Sequence, residues 1–535
     1  MKKYILIFIL FTISTASFAQ SWQQSGKLWG SFESNSMYYV NDSKLNPIWV
    51  EDGDRFATNN YLKLDYNLGN FSAGIQLESY LPALQGFDFG MDYKKFFLGS
   101  KYIQWQDNRF FVRAGNIYDQ FGSGIIFRSY EDRSLGFNNS IEGVQGMFNY
   151  NNIVRINALA GRPRLNTDYQ DTWVRGADLI FSVSDALKLE KLMFAVEGSY
   201  VHRYGKLEDA SSFVSFPDDY GINSRHLNMY SGRINLGFGP VVLKGEYVKK
   251  QNKDYNSAVI DKETAVKGDA IFGELGVNLD NFGMLATFRR LKGMETLISF
   301  FSQSLYNSIN YIPALTRQYT YSLANLNPYI TSPNGEIGGQ VDLYYSIRNA
   351  KSKFWNLHAN FSNFYTLKDK ATENKSVFLW RDINFDVERQ WNRNFKTSFL
   401  YSRQQYNPDK GHAAVERERI SNIFVLDITN KFSKKLSLRS ELQYLYTEKN
   451  YNEEKDWVAA LFELSIAPKW SIFISDMFNI EKNLHYYNGG FSFSHKSSRV
   501  QLSYGRNRDG MVCSGGVCRY TPAYTGVNMI LTTSF

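Results

Sequence analysis

The chain has 535 residues and a formal charge of +8, from 60 Lys and Arg against 52 Asp and Glu. The basic residues are scattered, which excludes a nucleic-acid surface, and two cysteines allow one disulfide at most. Aromatic residues make up 16% of the chain and Pro occupies only 11 positions, a balance that suits sheet meeting a membrane interface.

Met1 to Gln20 reads as an export leader. Lys2 and Lys3 precede an apolar core from Tyr4 to Ile13, and Ser17-Phe18-Ala19 is a small-x-small cleavage site. Cleavage after Ala19 divides the chain into a leader, 1–19, and one mature domain, 20–535. No later apolar run approaches ~18 residues, so a transmembrane helix is not expected. The slightly negative mean hydropathy is compatible with a barrel, whose lumen-facing polar residues dilute the lipid-facing ones.

From Gly26 the chain reads as strands joined by alternately short and long connections. Gly26 to Val40 is followed by a polar segment, 41–58. Asn60 to Leu68 and Phe71 to Leu81 flank the turn Gly69-Asn70. Met91 to Gln104 and Arg109 to Tyr118 follow, then Ile141 to Tyr150 and Ile153 to Gly161 across Asn151-Asn152, a hairpin dipeptide. The same beat predicts strands near 173–184, 191–203, 225–237, 240–250, 267–279, 283–291, 335–347, 354–366, 376–389 and 394–405. The last fall near 417–431, 436–447, 456–467, 470–479, 486–496, 498–506 and 522–535. Thr296 to Phe301 is a candidate for part of one further hairpin.

Within the strands, polarity alternates with a period of two. Leu436, Leu438, Leu442, Tyr444 and Tyr446 share one face, while Ser437, Arg439, Glu441 and Gln443 share the other. The closing stretch alternates likewise and ends on Phe535, resembling the C-terminal recognition strand of bacterial outer-membrane barrels. The fold expected is all-β: a transmembrane antiparallel β-barrel of about 24 strands, within about 22 to 26. Short turns would face the periplasm with both termini, and long loops the exterior of a Gram-negative bacterium. A soluble multi-domain β-protein would need linkers, and none is visible. The first strand follows the cleavage site too closely for a plug domain, which argues against a TonB-dependent transporter.

Four stretches stand out as candidate sites. Cys513 and Cys518 flank Gly515-Gly516 in the last long loop, and an oxidising compartment favours their disulfide. No further Cys or His lies nearby to make a metal site. Arg128, Glu131, Asp132 and Arg133 cluster in loop 119–140, which could fold into the barrel with its charges paired to the wall. Loop 292–334 is Tyr-rich and too apolar to hang free, so it is expected to plug the barrel or cap its mouth. Asp382, Asp386, Glu388, Lys396, Arg439 and Glu441 are candidate lumen charges, either a selectivity stripe or a solvated wall of paired groups. None of the six His sits in a nucleophile or metal motif, so neither an enzyme nor a cofactor is expected.

Three of these stretches, RSYEDRSLGFNNSIEGV, YIPALTRQYTYSLANLNPYITSPNGEIGGQ and CSGGVCRYTPAYTG, together with GKLWGSFESNSMYYV, resemble an outer-membrane barrel family of the Bacteroidetes whose function is not established. The resemblance spans nearly the whole mature chain. It implies location and architecture, and transfers no catalytic or ligand residue. The function expected first is a porin-like channel or transport pore, partly occluded by loops 119–140 and 292–334. The alternative is a plugged barrel that binds or scaffolds within an envelope export or assembly complex. The partners implied are outer-membrane lipid and an envelope protein, with the oligomeric state open.

Overall fold

In a computed structural model of the chain, the described residues are 26–45, 55–87, 93–205, 226–254, 266–298, 308–332, 335–350, 352–368, 375–407, 418–450, 454–514 and 517–535. The leader, Gly515-Gly516 and parts of loop 292–334 lie outside them. Side chains in apolar/polar alternation cannot satisfy two solvents unless the strands form a two-faced sheet. The chain therefore folds as a meander in which each wall strand pairs antiparallel with its sequence neighbour. The first strand, Lys27–Val40, also pairs with the last, Tyr524–Ser534, from Ser31↔Ser534 to Val40↔Thr525. This closes a barrel of 24 strands and leaves no wall edge unpaired.

Every wall strand read from the sequence is present, with boundaries shifted by a few residues. Asn151 and Asn152 both adopt positive φ, 49° and 61°, in the turn closed by Ile153 N donating to Tyr150 O at 2.9 Å, and residues 151–153 separate the paired Tyr150 and Val154. Of the further hairpin expected at Thr296 to Phe301, residues 299–301 lie outside the described residues. Phe282–Lys292 pairs directly with Gly335–Ala350, from Phe282↔Tyr345 to Lys292↔Gly335. Among the described residues no helix is long and apolar enough to cross a membrane. The wall itself would cross with strands.

The two faces separate cleanly. On Leu436–Lys449, Leu442, Tyr444 and Tyr446 are 41–50% exposed, whereas Glu441, Gln443 and Thr447 are buried. The apolar face looks outward and the polar face inward, the inverse of a soluble protein. What covers the inward face is the chain's own loops. Loop 119–140 enters the lumen as two small hairpins, Asp119–Phe121 with Phe127–Ser129 and Glu131–Asp132 with Phe137–Asn138.

Candidate functional site

The inward loops divide the lumen into two unlike halves. On one side, Phe121, Ile125, Ile126 and Phe127 from the first loop and Met294, Ile298 and Ile309 from the second pack with Val174, Val201, Leu227, Met229 and Val248 of the wall. An apolar patch on a barrel's inner face has no solvent suited to it, so these residues complete a core there. The loops are also joined by backbone: Arg128 N donates to Ile309 O (3.0 Å) and Tyr311 N to Gly124 O (2.9 Å). Gly122 turns at φ +56°, where a Cβ would lie 2.7 Å from both Arg233 Cδ and Glu246 Oε1. Only Gly fits that approach to the wall, and Ser123 N then donates to Glu246 Oε2 at 3.0 Å.

Of the loop charges, Arg133 and Glu131 are paired inside the barrel. Arg133 reaches Glu33 and Gln76, each at 2.9 Å, on the wall strands Lys27–Val40 and Phe71–Tyr80. Glu131 accepts from Gln76 Nε2 (2.7 Å). The Arg128 guanidinium lies between the rings of Tyr130 and Tyr311, 4.2 and 4.0 Å from their centroids. Asp132 instead holds its own turn, accepting from Ser134 N at 3.0 Å.

The other half of the lumen is crossed by a strap, residues 315–326. Its odd-numbered residues dock on successive wall strands. Arg317 donates to Asp386 and to Asn384 (2.7 Å) on Phe378–Gln390. The Tyr319 hydroxyl donates to Asp382 Oδ2 (2.7 Å), whose other oxygen accepts from Ser402 of Phe395–Tyr406. The Tyr321 hydroxyl reaches Asp427 at 3.4 Å on Arg419–Lys431, and Leu323 N donates to Gln443 Oε1 (2.9 Å) on Leu436–Lys449. Burial pushes the Tyr319 and Tyr321 phenols up, so both remain neutral donors facing carboxylates.

Of the even-numbered strap residues, Gln318 and Thr320 are exposed, whereas Thr316 is buried and Ser322 accepts from Gln443 Nε2 of the wall at 3.1 Å. Thr316 and Gln318, with Arg317, roof a cavity of about 790 Å³ lined by Gln340, Asp342, Tyr344, His358, Asp386 and Glu388. Thr320 and Ser322 border a second, of about 440 Å³, with Arg439, Glu441, Gln443, Asn488, Arg506 and Tyr524. The second follows the wall from near the short turns at Arg439 to the long loops at Gly510.

Each sequence-derived lumen charge has a partner. Asp382 holds Tyr319, Ser402 and Asn384. Asp386 holds Arg317 and, at 2.9 Å, His358, whose other nitrogen lies 3.1 Å from Asp342. Glu388 pairs with Lys396 (2.9 Å) and Arg439 with Asp427 and Glu441. Cys513 and Cys518 face each other across the hairpin Gly510–Ser514 and Val517–Thr521 and form a disulfide.

Sequence reasoning missed three inward networks. Arg233 joins Asp178 (2.5 Å) and Glu197 (2.6 Å). Arg164 grips Glu78 through both of its terminal nitrogens. Arg289 pairs with Glu336, which also accepts from Tyr329 (2.7 Å). Each puts one charge on an inward position of a different strand, and only the period of two could have flagged them.

One family model matches residues 1–535, and it describes a family of unknown function. The chain belongs to that family, DUF6029. No curated protein matches the sequence. Among solved structures, the P pilus usher (PapC) translocation pore is 9% identical with a TM-score of 0.43, over 95% of this chain and 99% of that one. The E. coli P pilus tip assembly intermediate PapC-PapD-PapK-PapG is 12% identical with a TM-score of 0.49, over 95% of this chain and 61% of that one. Pseudomonas aeruginosa OpdQ is 7% identical with a TM-score of 0.34, over 96% and 97%.

Proposed function

We propose that this protein is a transport barrel of the Gram-negative outer membrane, with short turns and both termini periplasmic, exported by the leader Met1–Ala19. Its conducting path is the space beside the strap. The observation that carries this reading is the alternation in the middle of the strap: Arg317, Tyr319, Tyr321 and Leu323 bind the wall, while Gln318 and Thr320 between them are exposed and line the two cavities. A purely structural filler has no reason to present a polar edge to a void. Small polar side chains there suit hydrated solutes, and the paired wall charges argue against a strong single-sign filter.

Single-channel conductance of the refolded barrel in a planar bilayer tests this. Wild type is expected to conduct weakly, and Arg317→Ala/Tyr319→Phe/Tyr321→Phe to conduct more by loosening the strap. Silence from both, with the barrel folded, would sink the channel reading. It would favour a plugged barrel serving an envelope export or assembly complex. The apolar core that the two loops build inside the wall supports that second reading.

A further inference from the structure

The outward face of the barrel carries its own asymmetry, on the side of the long loops. Six consecutive wall strands contribute: Trp173–Ser182, Leu192–Tyr204, His226–Phe238, Val241–Asp254, Val266–Asn278 and Phe282–Lys292. Near their loop ends the inward positions are Val174, Arg203, Leu227, Met229, Lys250, Ala270 and Leu291, all buried to 1% exposure or less. The alternate positions therefore point out: Arg175, His202, His226, Asn228, Lys249, Lys267, Asp269, Arg290 and Lys292.

Strand register sets these residues side by side in two adjoining rows across the six strands. Arg175 is opposite His202, and His202 opposite Asn228. One outward step below Asn228, Tyr230 is opposite Lys249, Lys249 opposite Asp269, and Asp269 opposite Lys292. Five spacings between six strands give an arc of about 24 Å. Just below it lie exposed aromatic and aliphatic residues: Tyr200, Tyr230, Ile234, Tyr247, Ile271 and Phe288. The Tyr200 and Tyr230 rings are 5.2 Å apart, and the Tyr200 hydroxyl donates to Asn228 Oδ1 at 2.6 Å. This is the sequence of layers expected where hydrocarbon gives way to headgroups.

Among the described residues the arc is basic and mostly unneutralised. Asp269 pairs with Arg290. Among the described residues Arg175, Lys249, Lys267 and Lys292 have no ion-pair partner, and His202 Nε2 and His226 Nδ1 share a hydrogen bond of 3.0 Å. Elsewhere on the same side of the barrel, several exposed cations have carboxylates: Lys101 with Glu142 (2.8 Å), Arg403 with Glu448 (2.5 Å), Lys449 with Glu418 (2.6 Å) and Lys482 with Glu454 (2.6 Å). Unpaired cations at headgroup height, flanked by imidazole and amide groups, match the phosphate of an anionic lipid.

We infer that this arc is a binding site for the phosphate groups of phosphorylated lipid in the leaflet that the long loops face, with Arg175, Lys249 and Lys292 as its charged contacts. The inference rests on the protein being a membrane-spanning barrel and does not depend on whether its lumen conducts. Because the arc spans six consecutive strands of the 24, it would give the protein an orientation among its lipid neighbours.

The test is native mass spectrometry of the full refolded chain in detergent, with diphosphoryl lipid A and with the same lipid stripped of its phosphates. Wild type should hold the phosphorylated form at least about tenfold more tightly. Arg175→Gln/Lys249→Gln/Lys292→Gln should lose that preference, and the single change Lys249→Glu, milder for folding, should reduce it severalfold. Lys101→Gln/Lys482→Gln, which removes paired cations from the same side, should keep it. Equal retention of the two lipids by wild type, or equal loss in the two sets of variants, overturns the site. A chain that folds and inserts but shows no phosphate preference overturns the lipid site alone, whereas one that never inserts overturns the membrane barrel as well.

Discussion

The hydroxyl of Tyr319, in the middle of the strap, donates to the buried carboxylate of Asp382 on the barrel wall at 2.7 Å. The two residues are far apart in sequence, and their bond fixes a loop across a lumen that is otherwise too wide to leave empty. Tyr319→Phe removes the donor but keeps the ring. Asp382 then retains Ser402 and Asn384 and loses one of its satisfying bonds. The strap should undock more easily by about 1–3 kcal/mol. Hydrogen exchange across 316–324 should accelerate about ten- to a hundredfold, with the barrel's unfolding temperature unchanged. Unaltered exchange there would mean that the bond does not hold the strap.

Arg317 and Asp386 form the neighbouring contact, with both side chains about a fifth exposed. A double-mutant cycle of Arg317→Gln and Asp386→Asn, read by the same exchange, should return a coupling of about 1 kcal/mol. Asp386 also holds His358, so Asp386→Asn should disturb more than Arg317→Gln, and the cycle isolates the part the pair shares. Additive single changes would show that the strap docks through its tyrosines alone.

Arg164 and Glu78 behave differently because neither sees solvent: their side chains are 3% and 1% exposed. Two hydrogen bonds of 2.7 and 2.6 Å join them across the inner wall, and Arg164 Nη1 also donates to Gly99 O at 3.0 Å. Arg164→Ala leaves a buried carboxylate with only Tyr80 and Gln76 as donors. The barrel should lose about 3–5 kcal/mol. Replacing both partners, as Glu78→Leu/Arg164→Met, should cost much less, because no orphaned charge remains. Urea unfolding followed by unheated gel migration measures both.

The wall was legible in the sequence because each strand separates lipid from lumen. Leu442, Tyr444 and Tyr446 against Glu441 and Gln443 leave no doubt about the period. The strap alternates too, with Arg317, Tyr319, Tyr321 and Leu323 against Gln318 and Thr320. Its two faces meet polar wall and water rather than oil and water, so hydropathy gave no period and only the tyrosine content marked the segment. The charges Asp382, Asp386 and Glu388 could be read as one face. Their partners Arg317, Tyr319 and Lys396 come from a loop and from the next strand, and no spacing within one strand names them. The same holds for Arg233, whose acids Asp178 and Glu197 lie on other strands.

Closure of the barrel brings a further contact between chain ends. Asp42, just past the first strand, accepts from Arg506 at 2.7 and 3.0 Å and from the Thr525 hydroxyl at 2.7 Å, clipping the first strand to the last two. Burial alone would raise the Asp42 carboxyl, but the bonds from Arg506 and Thr525 outweigh it and hold the group below the usual carboxylate range. A lowered carboxyl in the folded state contributes stability that is complete above its unfolded value, about 3.9. That contribution is lost as pH falls through this range to the lowered folded value. At pH 7 wild type should therefore outlast Asp42→Asn in thermal unfolding, and the gap between them should close as the pH is taken below about 4. A gap that stays constant into acid would mean that the clip holds the seam by shape and hydrogen bonding, without its charge.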